Sequence, residues 1–206
     1  HFANANIPVV LFDLPSEGKD KNAIINGAMK LLTKLKPAPL GNKSAIKLIE
    51  QANYETDLAK LKECDLIIEA VAERMDIKKS LYDKIEDYVR ADAVFATNTS
   101  GLSINSLSEV FPEALKSRFC GVHFFNPPRY MHLVEIIPTE KTDSVVIDSL
   151  NEFLTTTLGK GVVIAKDTPN FIANRIGVFS IVCTIYHGMK FNIPFETIDA
   201  LTGTLI

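Results

Sequence analysis

The order of apolar segments predicts an α/β fold: a doubly wound parallel sheet with helices on both faces, followed by the start of an all-helical domain. Two observations carry this. Short β-branched and apolar runs alternate with amphipathic helical stretches from Pro8 to Lys166, without an internal repeat. From Thr168 the strand-like runs stop and helical patterns fill the rest. The boundary is therefore placed between residues 167 and 168, giving a sheet domain over 1–167 and the beginning of a helical domain over 168–206.

Each element follows from a local pattern. Pro8 to Phe12 is an apolar, β-branched run ended by Asp13, as in a buried strand. Helical periodicity runs from about Lys19 to Lys36, and Pro37-Ala38-Pro39 closes it. Ser44 to Gln51 reads as a short helix, Tyr54-Glu55-Thr56 as an edge strand, and a helical turn leads to Lys62. Asp65 to Ala70 is a second buried strand. Met75 to Val89 predicts an amphipathic helix with Ile77, Leu81, Ile85 and Val89 on its core side. Ala93 to Thr97 is a third strand, and a helix follows over Ile104 to Phe111. Phe119 to Phe125 and Leu133 to Ile137 are two more strands. Ser144 to Leu158 is helical and Val162 to Lys166 is the last strand. Thr168 then serves as a helix cap with Pro169 in the first helical position, and the helix reaches about Lys190. Another helix starts near Phe195.

Composition narrows the function classes. With 206 residues, 47% hydrophobic and 23% charged, the chain is neither disordered nor low-complexity, and it buries a core without needing a disulfide or metal. A net charge of −3 argues against a nucleic-acid binder, which needs a basic surface. The most apolar long stretch, Phe171 to Met189, is interrupted by Asn174, Arg175 and His187, against the run of about 20 apolar residues that a membrane span requires. Cys64, Cys120 and Cys183 are odd in number and widely spaced, and read as reduced thiols of an intracellular protein. The chain opens on His1 inside what reads as a helix tail, so the natural start is expected upstream.

The strand ends carry the candidate chemistry. In doubly wound folds that bind dinucleotides, an acid ending the second strand holds the adenine ribose, about twenty residues after a Gly-rich turn. Asp13 fits that acid, and the glycines would then lie before His1. An acid there favours NAD over NADP, whose extra phosphate it would repel. A solvated turn residue is the equal alternative. Ile67-Ile68-Glu69-Ala70-Val71-Ala72-Glu73 and Asn98-Thr99-Ser100-Gly101 leave the sheet at the edge where ligands of open α/β sheets sit, although polar residues at strand ends commonly serve only the turn. In Leu133-Val134-Glu135-Ile136-Ile137, strand alternation puts Glu135 on a face with Leu133 and Ile137, where a buried carboxylate needs a partner. His123 shares its face with Phe119, Gly121 and Phe125. A His–carboxylate pair from successive strands would fix the ring tautomer and make the imidazole a general base, with an unperturbed pKa of about 6.5. The same pair is equally a structural one on the residues alone. Asn174 lies early in the last long helix, where an amide satisfies a neighbouring backbone or polarises a ligand. No second ligand pair accompanies Cys120 and His123, so no metal is expected. Ser100, in Asn-Thr-Ser-Gly-Leu, lacks the Gly-x-Ser-x-Gly elbow of a hydrolase.

Over nearly its whole length the sequence resembles the 3-hydroxyacyl-CoA dehydrogenase family. The resemblance is carried by Asn98-Thr99-Ser100-Gly101-Leu102-Ser103-Ile104, Gly121-Val122-His123-Phe124-Phe125-Asn126-Pro127-Pro128, Leu133-Val134-Glu135, and Asp167-Thr168-Pro169-Asn170-Phe171-Ile172-Ala173-Asn174-Arg175. Phe2-Ala3-Asn4-Ala5 and Val9-Val10-Leu11-Phe12-Asp13 resemble the tail of the family's first helix and its second strand.

The resemblance implies a Rossmann-like NAD-binding domain over 1–167, and a helical substrate and dimerisation domain beginning at 168. It further implies NAD-dependent oxidation of a (3S)-3-hydroxyacyl-CoA to the 3-ketoacyl-CoA in fatty-acid β-oxidation. His123 matches the family's general base and Glu135 the acid that orients it. Ser100 matches the serine that hydrogen-bonds the substrate oxygen, and Asn174 the asparagine that helps hold substrate and histidine. Asp13 matches the ribose-binding acid, while Ala70, Glu73, Lys78, Asn98 and Asn126 match positions lining the cofactor cleft.

The implied parent is a homodimer acting on an acyl-CoA thioester, similar to the dehydrogenase part of bacterial multifunctional oxidation proteins. Its expected compartment is the bacterial cytoplasm, with mitochondrion and peroxisome open alternatives. Asn170 departs from the Gly of many members. The family's first strand and Gly-rich turn have no counterpart in the sequence, so the 206 residues alone are expected to bind NAD weakly and to turn over little. A dehydrogenase of a free 3-hydroxy acid, and a non-catalytic NAD-binding protein similar to lens λ-crystallin, are the alternative readings.

Overall fold

The computed structural model describes residues 1–203. Contacts divide the chain into a first unit, His1–Asp167, and a second that starts at Thr168. In the first unit, β1 (Val9–Asp13) is followed by α1 (Ala23–Leu32) and β2 (Ile49–Asn53). Then come β3 (Leu66–Glu69), α2 (Met75–Ile85), β4 (Val94–Thr97) and α3 (Ile104–Glu109). The unit ends with β5 (Phe119–Phe124), β6 (Leu133–Pro138), α4 (Ser144–Glu152) and β7 (Gly161–Ile164). The second unit holds α5 (Ala173–Lys190) and α6 (Phe195–Thr202).

The α/β expectation holds, with two changes to the sheet. The strands form two sheets, a parallel pair β1-β2 and a five-stranded sheet in the order β3-β4-β5-β6-β7. The second sheet is mixed, because β5 and β6 run antiparallel while its other pairs are parallel. The physical cause is the short connection over 125–132. A parallel return needs a crossover of roughly a dozen residues or more.

Several elements differ from their sequence pattern. The strand after α1 is Ile49–Asn53, not Tyr54 to Thr56, and the short helix before it is a 3₁₀ turn, Lys43–Leu48. Asn53 ends this strand by turning the chain, its Oδ1 accepting Glu55 N–H at 2.9 Å and Thr56 N–H at 3.0 Å. On α2 the buried residues are Lys78, Tyr82 and Ile85, whereas Ile77 and Leu81 are half-buried. The helix is rotated because Glu69, at the end of β3, draws the Lys78 ammonium and the Tyr82 hydroxyl inward. The last long helix begins at Ala173 and not at Pro169. Asn170 and Phe171 have φ of 62° and 49°, so the backbone leaves the right-handed helical region just before it. Phe171, within the helix that the pattern predicts from Pro169, thus lies outside it.

The two faces of the five-stranded sheet have different cores. Ala96, Cys120, Val122, Val134 and Ile136 pack on one side with Val146 and Leu150 of α4 and with Leu154 and Leu158 beyond it. On the other side Tyr82, Phe95, Phe111 and Phe119 form an aromatic cluster with centroids 4.5–6.2 Å apart. Strand alternation places His123 and Glu135 on this second face, beside α3. Gly121 admits α3 there: a Cβ would lie 2.8 Å from Ile104 Cδ1 and 3.1 Å from Ile137 Cβ. Gly121→Ala is expected to cost about 1–3 kcal/mol through overpacking, read as a lowered denaturation midpoint; an unchanged midpoint would show that Ile104 yields freely.

Candidate active site

The antiparallel register sets His123 directly opposite Glu135. Nδ1 of His123 lies 2.8 Å from Oε2 of Glu135, with side-chain exposures of 6% and 0%. An ionised carboxylate only accepts, so Nδ1 carries the hydrogen and donates it. The His123 ring also packs against Phe125, centroids 4.5 Å apart. Asn98, just after β4, accepts Phe124 N–H on Oδ1 at 2.9 Å and ties the end of β4 to the end of β5. Since β3, β4 and β5 are parallel, Glu69, Asn98 and His123 lie towards one edge of the sheet, the carboxyl edge where open α/β sheets bind ligands.

A buried polar network lies behind that edge. Lys78 Nζ donates to both Glu69 oxygens, at 2.6 and 2.8 Å, and both side chains are 1% exposed. Glu69 also accepts the Thr97 hydroxyl at 2.7 Å, the Tyr82 hydroxyl at 3.2 Å and Val71 N–H at 2.7 Å. Burial, and then the Glu69 charge, push the Tyr82 phenol far above its ordinary range, so that it stays a donor. Lys78 stands 4.0 Å from Glu73 Oε2. Sequence reasoning placed Glu69 in a strand end at the ligand edge but did not foresee its ion pair with Lys78. Its signal was a carboxylate inside an apolar run, nine residues before a lysine on an amphipathic helix.

The other residues matched to the family occupy varied places. Asp13 ends β1 in the two-stranded sheet, half-buried, with Oδ1 accepting Leu14 N–H at 2.7 Å. Ala70, Ser100 and Asn126 are exposed. Glu73 accepts from the segment that carries Ser100, including Gly101 N–H at 2.8 Å. Burial alone would raise its carboxyl, but the Thr99 hydroxyl, the Gly101 and Leu102 N–H groups and Lys78 together hold it below the usual range. Asn174 is half-buried in the first turn of α5, in the second unit. Asn170 adopts the left-handed conformation, which Gly tolerates best and Asn better than most other residues.

The donor set suits a dinucleotide. A carboxylate has several lone pairs, and Asp13 at a strand's carboxyl end offers acceptors of the kind that ribose hydroxyls need. Exposed Ala70 adds no bulk at the same end of β3. Among the described residues there is no cluster of three or more His, Cys, Asp or Glu able to hold a metal, and no helix is long and apolar enough to cross a membrane.

Comparison with known proteins identifies the family. The family model described as "3-hydroxyacyl-CoA dehydrogenase, NAD binding domain" matches residues 1–168. A Deinococcus radiodurans protein named "Probable 3-hydroxyacyl-CoA dehydrogenase" is 44% identical over 202 residues, 98% of this chain and 58% of that protein. A Rickettsia prowazekii protein named "Putative fatty acid oxidation complex trifunctional enzyme" is 42% identical over 97% of this chain and 28% of its own length. Among solved structures, M. tuberculosis FadB2 superimposes with a TM-score of 0.81 at 28% identity, covering 99% of this chain and 72% of that one. The chain thus spans little more than half, or less, of these two sequence relatives.

Proposed function

Because the chain belongs to the 3-hydroxyacyl-CoA dehydrogenase family, its residues 1–168 being that family's NAD-binding domain, we propose that its parent oxidises (3S)-3-hydroxyacyl-CoA to 3-ketoacyl-CoA. The observation that carries this is the buried His123–Glu135 pair near the carboxyl edge of the sheet. With Nδ1 committed to Glu135, Nε2 is the ring nitrogen that takes the proton from the C3 hydroxyl. Glu135 keeps the tautomer and stabilises the imidazolium as it forms, as the carboxylate of a hydrolase triad does. Ser100 hydrogen-bonds the substrate oxygen, and Asn174 helps to hold substrate and histidine. Asp13 holds the adenine ribose, while Ala70, Glu73, Asn98 and Asn126 line the cleft. Lys78 acts from behind it, since it is buried against Glu69. NAD, when bound, supplies the hydride acceptor.

The reading extends to the whole parent. Residues from 168 begin a helical substrate and dimerisation domain, and α5 exposes Ile176, Phe179, Ile181, Val182 and Tyr186, an apolar surface of the kind that further structure covers. The relative named as a trifunctional enzyme supports a place in fatty-acid β-oxidation, in some parents fused to other activities. Bacterial relatives and three free cysteines support a bacterial cytoplasmic setting. Comparing NADH production by the full-length protein on a 3-hydroxyacyl-CoA and on the free 3-hydroxy acid tests the reading. Turnover of the thioester is expected. Preference for the free acid would reassign the substrate, and no turnover of either would leave an NAD-binding protein without catalysis.

A further inference from the structure

Backbone N–H groups of a loop ordinarily end on water, a carbonyl or a passing side chain. In the segment after β4 they end on two carboxylates. Glu73 Oε1 accepts Ser100 N–H at 3.1 Å, Gly101 N–H at 2.8 Å and Leu102 N–H at 3.1 Å, together with the Thr99 hydroxyl. Three successive N–H groups converging on one oxygen make an anion-binding nest, filled here by a side chain of the same protein. Asp167 takes the next stretch. Its Oδ1 accepts Ile104 N–H at 3.1 Å. Its Oδ2 accepts Asn105 N–H at 2.9 Å, the Asn105 side-chain amide at 2.9 Å and the Ser103 hydroxyl at 2.7 Å.

Both carboxylates are themselves anchored. Glu73 faces Lys78, which is fixed by buried Glu69. Asp167 follows Ala165, whose N–H donates to Ile136 O at 2.8 Å, next to Glu135 on β6. Burial would raise the Asp167 carboxyl, yet the hydrogen bonds from Asn105, Ser103 and Ile104 hold it below the usual range.

We propose that Glu73 and Asp167 are positioning residues: a two-carboxylate clamp that sets the backbone on either side of Ser100 and so aims its hydroxyl at the reacting oxygen. The clamp rests on the reading of Ser100 as a substrate contact. Hydrogen bonds to ionised acceptors are stronger than those between neutral groups, and small displacements of a positioned group lower rates steeply. Asp167 is the new participant, because it lies more than sixty residues from the segment it holds.

A double-mutant cycle in the full-length enzyme tests this. Asp167→Asn keeps the shape of the side chain but removes its charge and turns one acceptor into a donor. On the native background it is expected to lower kcat for the hydroxyacyl-CoA about tenfold or more while changing KM for NAD less than about twofold. On a Ser100→Ala background the same change is expected to cost less than about twofold, because the hydroxyl it positions is gone. Equal losses on both backgrounds, or no loss on the native one, would overturn the clamp. If Asp167→Asn does not fold, Asp167→Glu replaces it in the same cycle with the same expected non-additivity.

A second measurement does not depend on activity. Amide hydrogen exchange over Ser100 to Asn105 is expected to quicken about tenfold or more in Asp167→Asn and Glu73→Gln while β5 keeps its protection. Unchanged exchange there overturns the clamp, whether or not the parent turns over a CoA thioester. An inactive parent with quickened exchange would overturn the proposed reaction, and with it the aiming of Ser100, while showing that the two carboxylates hold the segment.

Discussion

His123→Gln in the full-length protein is expected to lower turnover about a thousandfold, within the range that a positioned general base contributes, while NADH still binds. Glutamine retains a donor for Glu135, so the buried carboxylate is not stranded at its 2.8 Å contact. What is lost is the nitrogen proposed to accept the hydroxyl proton. Because His123 leaves β5 on a face shared with α3 and apart from Asp13 on β1, the substitution should leave cofactor affinity intact. The check is paired: steady-state NADH production for kcat, and fluorescence titration for NADH. Activity near that of the native enzyme would refute the general-base role. Loss of NADH affinity along with kcat would show instead that the substitution had disturbed the fold.

Lys78→Met is expected to be the most destabilising single change at the edge of the sheet. The Glu69 carboxylate, 1% exposed, would keep the Thr97 and Tyr82 hydroxyls and Val71 N–H but lose the only cation that donates to it among the described residues. Stranding one member of a buried pair costs about 3–5 kcal/mol, which for a domain of this size lowers Tm by roughly 6–20 °C. Glu69→Gln added to Lys78→Met should recover much of that loss, since a neutral amide needs no counter-ion. Calorimetric melting of the four proteins in the cycle measures both effects. A single variant as stable as the native protein would mean that the pair contributes nothing net, and an unrecovered double variant would mean that Lys78 acts through packing alone.

The parts of this protein that were legible in its sequence are those governed by local periodicity. Alternation along Phe119–Phe124 and Leu133–Pro138 puts His123 and Glu135 each on one face of its strand, and the strand period of two makes that assignment independent of the rest of the chain. Asp13 ends a strand as its apolar run implies. The departures come where a distant partner overrode the local pattern. The spacing of apolar residues on α2 pointed to Ile77 and Leu81, yet the buried pair Glu69–Lys78 turned Lys78 and Tyr82 inward. The backbone broke at Asn170 and Phe171 where Thr168-Pro169 read as a helix start.

The amino-acid sequence by itself determined the alternation of strands and helices, the chemistry available at the strand ends and the family to which the chain belongs. Only the tertiary structure decided which of those groups meet. The short 125–132 connection forced β6 to run against β5 and so set Glu135 opposite His123. The end of β7 delivered Asp167 to amides more than sixty residues earlier in the chain. The physical reason is one of range: dihedral preference and periodicity act between neighbouring residues, whereas register, burial of charge and hydrogen bonding across the sheet depend on which segments the packed core brings together.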